Sequence, residues 1–374
     1  MERIFIWGTG AIAEEVLEQS KIYTEYDVLG FIDNDIKKRG NTFKGKEIFT
    51  PEILNRVEVD RIVILTDYCN EIKQQIEAVY PQMKSIIEYK DFFYVQSILR
   101  RYGKSTDVEI KVILEYINRN GLQMFNYDFV DKYMNIEFDI MFDSYCGMFY
   151  VYHGNKKLYF AKYLDNISKV KEYYRSLLIE QDQESPHRYL DTEFDVENGD
   201  IILDIGAAEG IFSLDVIDKV SKIYIIEAND EWVEALKETF KNYQNKIKII
   251  RKFISSIDEG EIGTLDSLIK ESVNFIKMDI EGNEWDALIG AKGLIHQSKR
   301  LKCAICSYHS DFDESLIKSV LNDYSINCST TSGYVWFAEK LRKNYISLKL
   351  CRGIVRGIKD FNVFEKAIEG DNAE

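Results

Sequence analysis

The chain has 374 residues, 48 Lys and Arg against 63 Asp and Glu for a formal net charge of −15, 45% hydrophobic residues and only 3 Pro. That length predicts two folded domains, and that composition fits a folded, helix-rich protein better than a disordered one. The acidic balance argues against a nucleic-acid partner, because neutralising phosphates needs Lys and Arg in excess.

No run reaches the roughly 18 consecutive apolar residues of a membrane span, and residues 1–7 lack the basic start and apolar core of a signal peptide, so the cytoplasm is the expected location. Cys69, Cys146, Cys303, Cys306, Cys328 and Cys351 are scattered, as free thiols of a reducing compartment are. Cys303 and Cys306 have CxxC spacing, but LKCAICSY reads as a buried strand, where residues three apart face opposite ways; zinc is not expected there.

In chain order, the first segment reads as a strand over residues 4–7, a helix over 12–18, and strands over 28–32 and 61–65, a small βαβ-type unit. Its first turn, Gly8-Thr9-Gly10, leads to Ala13, and Asp33 stands 20 residues beyond Ala13, the spacing of a dinucleotide turn whose acid meets a ribose. Gly8, Thr9, Gly10 and Asp33 therefore form a tentative second nucleotide site, against the plainer alternative of a domain kept for packing or homo-oligomerisation. An NAD-dependent oxidoreductase would also need a catalytic half after residue 65, and no Tyr-x-x-x-Lys follows in a suitable helix.

The expected divisions are 1–90 for this nucleotide-binding-type domain, 91–172 for a helical and β-hairpin connecting region with 101–107 as its most linker-like piece, 173–345 for a second domain, and 346–374 for an extension. In the connecting region two alternating aromatic runs flank Gly154-Asn155, a tight-turn dipeptide. From residue 200 a second α/β series begins, with strands over 201–205, 222–227, 248–253, 273–279, 304–308, 325–329 and 334–338. Trp232, Leu236 and Phe240 line one helix, and Asn283 is placed to cap another whose Trp285, Leu288 and Ile289 share a face. The last two strands are too close for a crossover and are expected to form an antiparallel hairpin. Beyond them Arg342, Lys343, Lys349, Arg352, Arg356 and Lys359 occur without an acid, and Leu350, Ile354 and Ile358 fall at helical spacing. That pattern suits a basic amphipathic C-terminal helix, either in weak peripheral contact with anionic lipid or packed on its own domain.

The loop Asp204-Ile205-Gly206-Ala207-Ala208-Glu209-Gly210 follows the first strand of the second series and opens a helix. Ligands of open parallel sheets bind outside the carboxyl ends of the strands, where loop N–H groups can receive a carboxylate. Glu227 ends the next strand, where an acid can accept hydrogen bonds from both hydroxyls of a ribose. Loop, acid and terminal strand pair together point to S-adenosylmethionine, with Asp204, Gly206, Ala207, Ala208, Glu209, Gly210, Glu227, Asp279 and Glu281 as the cofactor-binding set. The fold expected is α/β: the seven-stranded Rossmann-like sheet of class I methyltransferases, its last strand pair antiparallel, preceded by a smaller Rossmann-like α/β domain.

VNFIKMDIEGNEWDALIGA, with Lys277, Asp279, Glu281, Gly282 and Glu284, resembles the signature of the FkbM family of S-adenosylmethionine-dependent methyltransferases. Residues 180–190 (EQDQESPHRYL), the DIGAAEGIFSL loop and Ser307-Tyr308-His309 resemble further blocks of that family, over residues 173–337. The resemblance implies O-methyl transfer to hydroxyl groups, often on sugars or glycosylated natural products. Residues 3–65, with GTGAIA, GFIDND and RIVIL, resemble the nucleotide-binding unit of bacterial sugar N-acyltransferases, which implies a nucleotide or nucleotide-sugar there. The acceptor expected is thus a carbohydrate or nucleotide-sugar; a non-catalytic scaffold that keeps the cofactor fold is the rival.

A sulfonium is already electrophilic, so the protein must align the acceptor oxygen and help remove its proton. His309 is the expected base, Asp279 its orienting partner or that of the acceptor, and His187, held in Ser185-Pro186-His187-Arg188-Tyr189, a closing polar contact. Lys277 completes the catalytic candidates; inside an apolar strand it needs a partner, expected in Glu281 or Glu284, and a purely structural role stays open. Asp279, His309 and Asp311 also have donors suited to a divalent cation, so the metal requirement stays open.

Overall fold

Each α/β series starts from a short run of β-branched and aromatic residues that can only be satisfied inside a sheet. In the first, Ile4, Phe5, Ile6 and Trp7 are at most 1% exposed. The computed structural model describes residues 1–19, 22–89, 91–310, 313–337, 340–341, 345–346 and 349–359. The chain divides into two units, one built on Met1–Met124 and the other on Phe125–Phe337 with residues 350–359. Among the described residues no helix is long and apolar enough to cross a membrane.

The first unit contains β1 (Arg3–Trp7), α1 (Ala11–Gln19), β2 (Asp27–Ile32), β3 (Thr42–Phe43), β4 (Lys46–Phe49), β5 (Arg61–Ile64), α2 (Cys69–Val79) and β6 (Ile87–Glu88). Their sheet order is β3-β4-β2-β1-β5-β6, with β1 parallel to both β2 and β5, a Rossmann-like arrangement. Two further helices, α3 (Phe92–Tyr102) and α4 (Val108–Asn120), follow in the same unit. The stretch 101–107, expected as a linker, is the turn between them, closed by the Asp107 carboxylate accepting from the Glu109 N–H at 2.9 Å.

The second unit opens with an antiparallel meander, β7 (Met141–Asp143), β8 (Met148–His153) and β9 (Lys156–Tyr159). The last two strands turn at Gly154, whose φ is +63°. Then come α5 (Ile167–Glu180), β10 (Ile201–Ile205), α6 (Ile211–Val216), β11 (Lys222–Ile226), α7 (Asp230–Thr239), β12 (Ile247–Ile250), β13 (Phe275–Met278), α8 (Glu284–Ile289), β14 (Leu301–Cys306), α9 (Asp313–Asp323), β15 (Asn327–Thr330) and β16 (Ile354–Lys359). The seven-stranded order is β12-β11-β10-β13-β14-β16-β15. The first five run parallel, and β16 runs antiparallel to both neighbours. This is the sheet of the class I methyltransferases, and its order reverses beside β10, which puts the ligand crevice at the β10 loop. The core runs through both faces: Leu203, Ile205, Met278 and Ile305 are all fully buried, each contributing about 1.5–3 kcal/mol by leaving water.

Two expectations about the last strands are corrected. The segment after β15 does not fold straight back as a hairpin: Val335–Trp336 pairs with Leu350–Cys351, and β15 pairs with β16. Nor is the basic C-terminal stretch a helix. Ile354 and Val355 are fully buried inside the sheet, and a strand buried on both faces carries an apolar pattern that helical spacing also fits. Its cations are used internally. Arg356 pairs with Asp191 and lies 4.9 Å from the Phe194 ring centroid, Lys359 donates to the Ile295 carbonyl at 2.7 Å, and Arg352 stacks 3.9 Å over Tyr334. The helical basis for contact with lipid falls with them; Arg342 and Lys343 lie outside the described residues, as does Ala338 of the expected last strand. Val355→Asp is therefore expected to cost on the order of 3–5 kcal/mol, read from the urea midpoint, whereas a surface helix would tolerate it within about 0.5 kcal/mol.

Candidate active site

The loop after β10 is held from below. Asp204 and Lys277 stand directly opposite each other on adjacent parallel strands, so their side chains share a face. Lys277 Nζ lies 3.1 Å from Asp204 Oδ1 and donates to the Gly206 carbonyl at 2.6 Å, while the Ser213 hydroxyl donates to Asp204 Oδ2 at 2.7 Å. Burial disfavours the ammonium, but Asp204 and Asp279 outweigh it and raise its pKa. The partner of Lys277 is thus Asp204, not Glu281 or Glu284. Both members are buried, so they support the loop from beneath, and neither of the roles expected for them, Lys277 in catalysis and Asp204 in cofactor contact, has a surface to act through.

One register step further, Gly206 crosses the end of β13. A Cβ at Gly206 would stand 1.7 Å from the Asp279 carbonyl oxygen, and its φ is +69°, so only glycine fits. The chain then passes Ala208 at φ +46° and reaches Gly210 at φ +85°, which opens α6. Among the described residues the Ala207 N–H finds no acceptor, which suits a loop that receives a carboxylate. Half-buried Glu227, just past β11, accepts from the N–H groups of Ala208 at 2.9 Å and Asn229 at 2.8 Å, which orients it with lone pairs left over for a diol. Glu209 itself points away: it is 3% exposed and accepts from the Tyr173 hydroxyl at 2.9 Å. Glu281, at φ +54°, is exposed on the turn after β13. The loop and Glu227 fit the methionine and ribose parts of S-adenosylmethionine.

Asp279 forms the wall beside the loop. Tyr189 donates to its Oδ2 at 3.0 Å, His309 Nε2 lies 3.3 Å from Oδ1, and His187 Nε2 lies 3.8 Å from Oδ2. Burial opposes its charge, but His309 and Lys277 reverse the effect and hold the carboxyl far below the usual range. The side chain keeps 24% exposure, against 6% for Lys277, 2% for His309 and 1% for His187, so of the four catalytic candidates Asp279 is the one that meets the cleft.

His309 is braced on both sides, with Nδ1 3.1 Å from Glu284 Oε1. Glu284 is fixed in turn: Oε1 accepts from the Ile280 N–H at 2.8 Å and Oε2 from the Gly282 N–H at 3.0 Å. Burial would drive a proton off His309, yet the two carboxylates outweigh it and raise the pKa well above the ordinary value. An imidazolium has no lone pair to accept a proton, so this geometry fits His309 as a cation held between two carboxylates better than as the expected base. Its folded pKa exceeds its unfolded value of about 6.5, so its stabilisation is complete below that pH and lost as pH rises through the folded value. The stability difference between wild type and His309→Gln, from urea titrations, should accordingly be largest below about pH 6.5 and shrink in alkali.

His187 sits behind this wall, bonded at 2.9 Å to the Tyr308 hydroxyl, with Phe125, Tyr189 and Tyr308 around it. Burial lowers its pKa to about 4, more than Asp279 raises it, so it is neutral. It positions Asp279 and Tyr308 and does not close over an acceptor.

Among the described residues, Asp279, Glu284 and His309 bring one donor atom each within 4.8 Å, as do His187, Asp279 and Cys306. In the first set both Glu284 oxygens already accept from backbone N–H groups and His309 lies between the two carboxylates, so its charges are matched within the set itself. Asp311 lies outside the described residues. Asn283 caps nothing with its side chain, which donates to the Ile254 carbonyl, and Trp285 and Ile289 are exposed while Leu288 is buried. Trp232, Leu236 and Phe240 are buried as expected. Tyr189 stood inside the 180–190 block, but its bond to Asp279 comes from tertiary packing, as does that of Tyr173 to Glu209, for which there was no local signal.

In the first unit, Gly8 is held by its backbone, since a Cβ there would meet the Leu65 carbonyl oxygen at 2.5 Å, whereas Gly10 faces open space. Asp33 is occupied by the Thr9 hydroxyl and by Lys38 Nζ at 2.7 Å, so a ribose would have to displace that pair.

Two family models match the chain. Residues 142–322 match the family model described as Methyltransferase FkbM domain, and residues 1–87 match the one described as C2185-like, N-terminal. The FkbM match lies in the second unit and takes in the β7–β9 meander, upstream of where the sequence resemblance begins. A curated protein, histidine–tRNA ligase of Malacoplasma penetrans (strain HF-2), is 26% identical over 257 residues, 65% of this chain and 51% of that protein, so the chain spans about half the length of this relative. Among solved structures, the methyltransferase FkbM of Methylobacillus flagellatus KT is similar over 95% of this chain and 90% of its own at 17% identity and a TM-score of 0.45. The magnesium protoporphyrin IX methyltransferase of Synechocystis PCC 6803, solved with bound SAM, is similar over 44% of this chain and 71% of its own at 12% identity and a TM-score of 0.31.

Proposed function

We propose that the FkbM methyltransferase domain of this chain uses S-adenosylmethionine to methylate a hydroxyl group of a sugar, nucleotide-sugar or glycoconjugate. The observation that carries this reading is Asp279: an ionised carboxylate at the end of β13, still 24% exposed, beside the glycine loop whose Ala207 N–H has no acceptor among the described residues. The cofactor supplies an electrophilic methyl group; the protein aligns the oxygen that attacks it. Asp279 accepts a hydrogen bond from the acceptor hydroxyl and sets its direction, while Tyr189 and His309 keep the carboxylate from turning. The net charge of −15 favours a carbohydrate acceptor over a polyanion, and the Rossmann-like first unit suits a nucleotide handle.

The test is transfer of label from tritiated S-adenosylmethionine to a panel of methyl glycosides and of UDP- and dTDP-sugars. Alkali-stable label on a sugar, reduced on the order of 10²-fold by Asp279→Asn with cofactor affinity retained, is the expected result. Alkali-labile label, or label on nitrogen, would contradict hydroxyl methylation.

A further inference from the structure

Glu180 takes no part in the arrangement described so far. It is the last residue of α5, where the negative end of the helix dipole already disfavours a carboxylate. Its position is pinned on both sides. Tyr173, on the same helix, bonds Glu209 of the glycine loop, and Gln181 donates to the His187 carbonyl at 3.4 Å while accepting from the Tyr189 N–H at 3.2 Å. Glu180 therefore sits between the cofactor loop and the Asp279 wall. It is partly exposed, and among the described residues its carboxyl has no hydrogen bond or ion pair.

The groups whose charges act on it are Asp279 and Glu209, which repel its charge, and Lys277, which attracts it but is committed to Asp204, while Glu180 in turn acts on the hydroxyls of Tyr173, Tyr189 and Tyr308. Burial first, then Asp279 and Glu209, push its pKa up to about 8. The other two candidates for a base are spent: His309 is already protonated, and Asp279 is too weak a base to hold a proton near neutrality.

We propose that Glu180, held between the cofactor loop and the Asp279 wall, is the general base of the methyl transfer and that the positively charged sulfonium is what ionises it. This rests on the reading that the cleft binds S-adenosylmethionine. On loading, the Glu180 proton leaves to solvent and the carboxylate faces the sulfonium. In the reaction the acceptor oxygen bonds the methyl carbon as the carbon–sulfur bond breaks, its electron pair stays on sulfur, and the hydroxyl proton passes to Glu180. The neutral thioether product then lies beside a neutral acid, and the cycle is closed. The base exists only while the methyl donor is bound.

Calorimetry of the full chain with S-adenosylmethionine and with S-adenosylhomocysteine, at pH 7 in phosphate and in Tris, counts the protons released and needs no acceptor. Subtracting the uncharged product removes what the shared amino and carboxylate groups contribute. With a pKa of about 8, the difference expected for wild type is roughly nine-tenths of a proton, and for Glu180→Gln none, with product affinity kept within about threefold. Should that variant fail to fold, wild type alone decides: its ratio of donor to product affinity should rise about tenfold per pH unit up to about pH 8 and then level. No difference in wild type, the same difference in Glu180→Gln, or a ratio flat with pH overturns the proposal. Binding of neither ligand is a separate outcome: it sinks the cofactor reading, and Glu180 as its base with it.

Discussion

Lys277→Ala is expected to lower folding stability by about 3–5 kcal/mol, because it leaves the Asp204 carboxylate buried without its counter-ion. Among the described residues the Ser213 hydroxyl is then the one hydrogen-bond donor left to the Asp204 side chain, and the Gly206 carbonyl loses its Lys277 contact. Adding Asp204→Asn to Lys277→Met should recover most of the loss, since an amide tolerates burial far better than an unpaired carboxylate, and the double-mutant cycle in urea measures that coupling. A cost of under about 1 kcal/mol for Lys277→Ala would mean that the pair is not closed in the native protein.

The second large effect is at Gly206. Alanine there must hold a left-handed backbone, costing about 1–2 kcal/mol, and place its methyl group within bonding distance of the Asp279 carbonyl. The loop can relieve that clash only by lifting away from β13, which carries off the N–H groups that a carboxylate would use. Gly206→Ala should therefore weaken S-adenosylmethionine binding at least about tenfold, as the loss of one charged hydrogen bond would, and lower the thermal midpoint. Gly10→Ala in the first unit, whose added methyl meets open space, is the control: cofactor affinity should not move.

What could be read from the sequence was whatever local pattern encodes. The β10 and β1 strands, the two glycine loops and the position of Asp279 follow from short apolar runs closed by glycine or acid, and the structure places these strands within a residue of expectation. Pairing across the sheet was less legible, because a strand's neighbours are chosen by the whole core. The true seventh strand lies beyond a connection of more than twenty residues, while a nearer candidate, Val335–Trp336, spends itself on a two-residue pair with Leu350–Cys351.

The fate of Lys277 shows the same limit. The expected partners were its neighbours in sequence, yet its partner, Asp204, is its neighbour in register, and aligning the ends of the two parallel strands would have found it. His309 was read from the ordinary titration range of imidazole. The two carboxylates that change that range come from β13's end and from α8, and no spacing within Ser307-Tyr308-His309 announces them. Glu180 opens the 180–190 block, but no role was legible for it there, because a glutamate at the end of an amphipathic helix looks solvated until the elements around it are in place.

The central claim, that the loop after β10 and the acid after β11 hold S-adenosylmethionine, is tested most directly by titrating the full chain with the cofactor in a calorimeter, wild type beside Glu227→Ala. One equivalent bound by wild type, and an affinity at least about tenfold weaker in Glu227→Ala as two charged hydrogen bonds are lost, is the predicted result. Equal affinity in both proteins, or no binding by wild type, would contradict it.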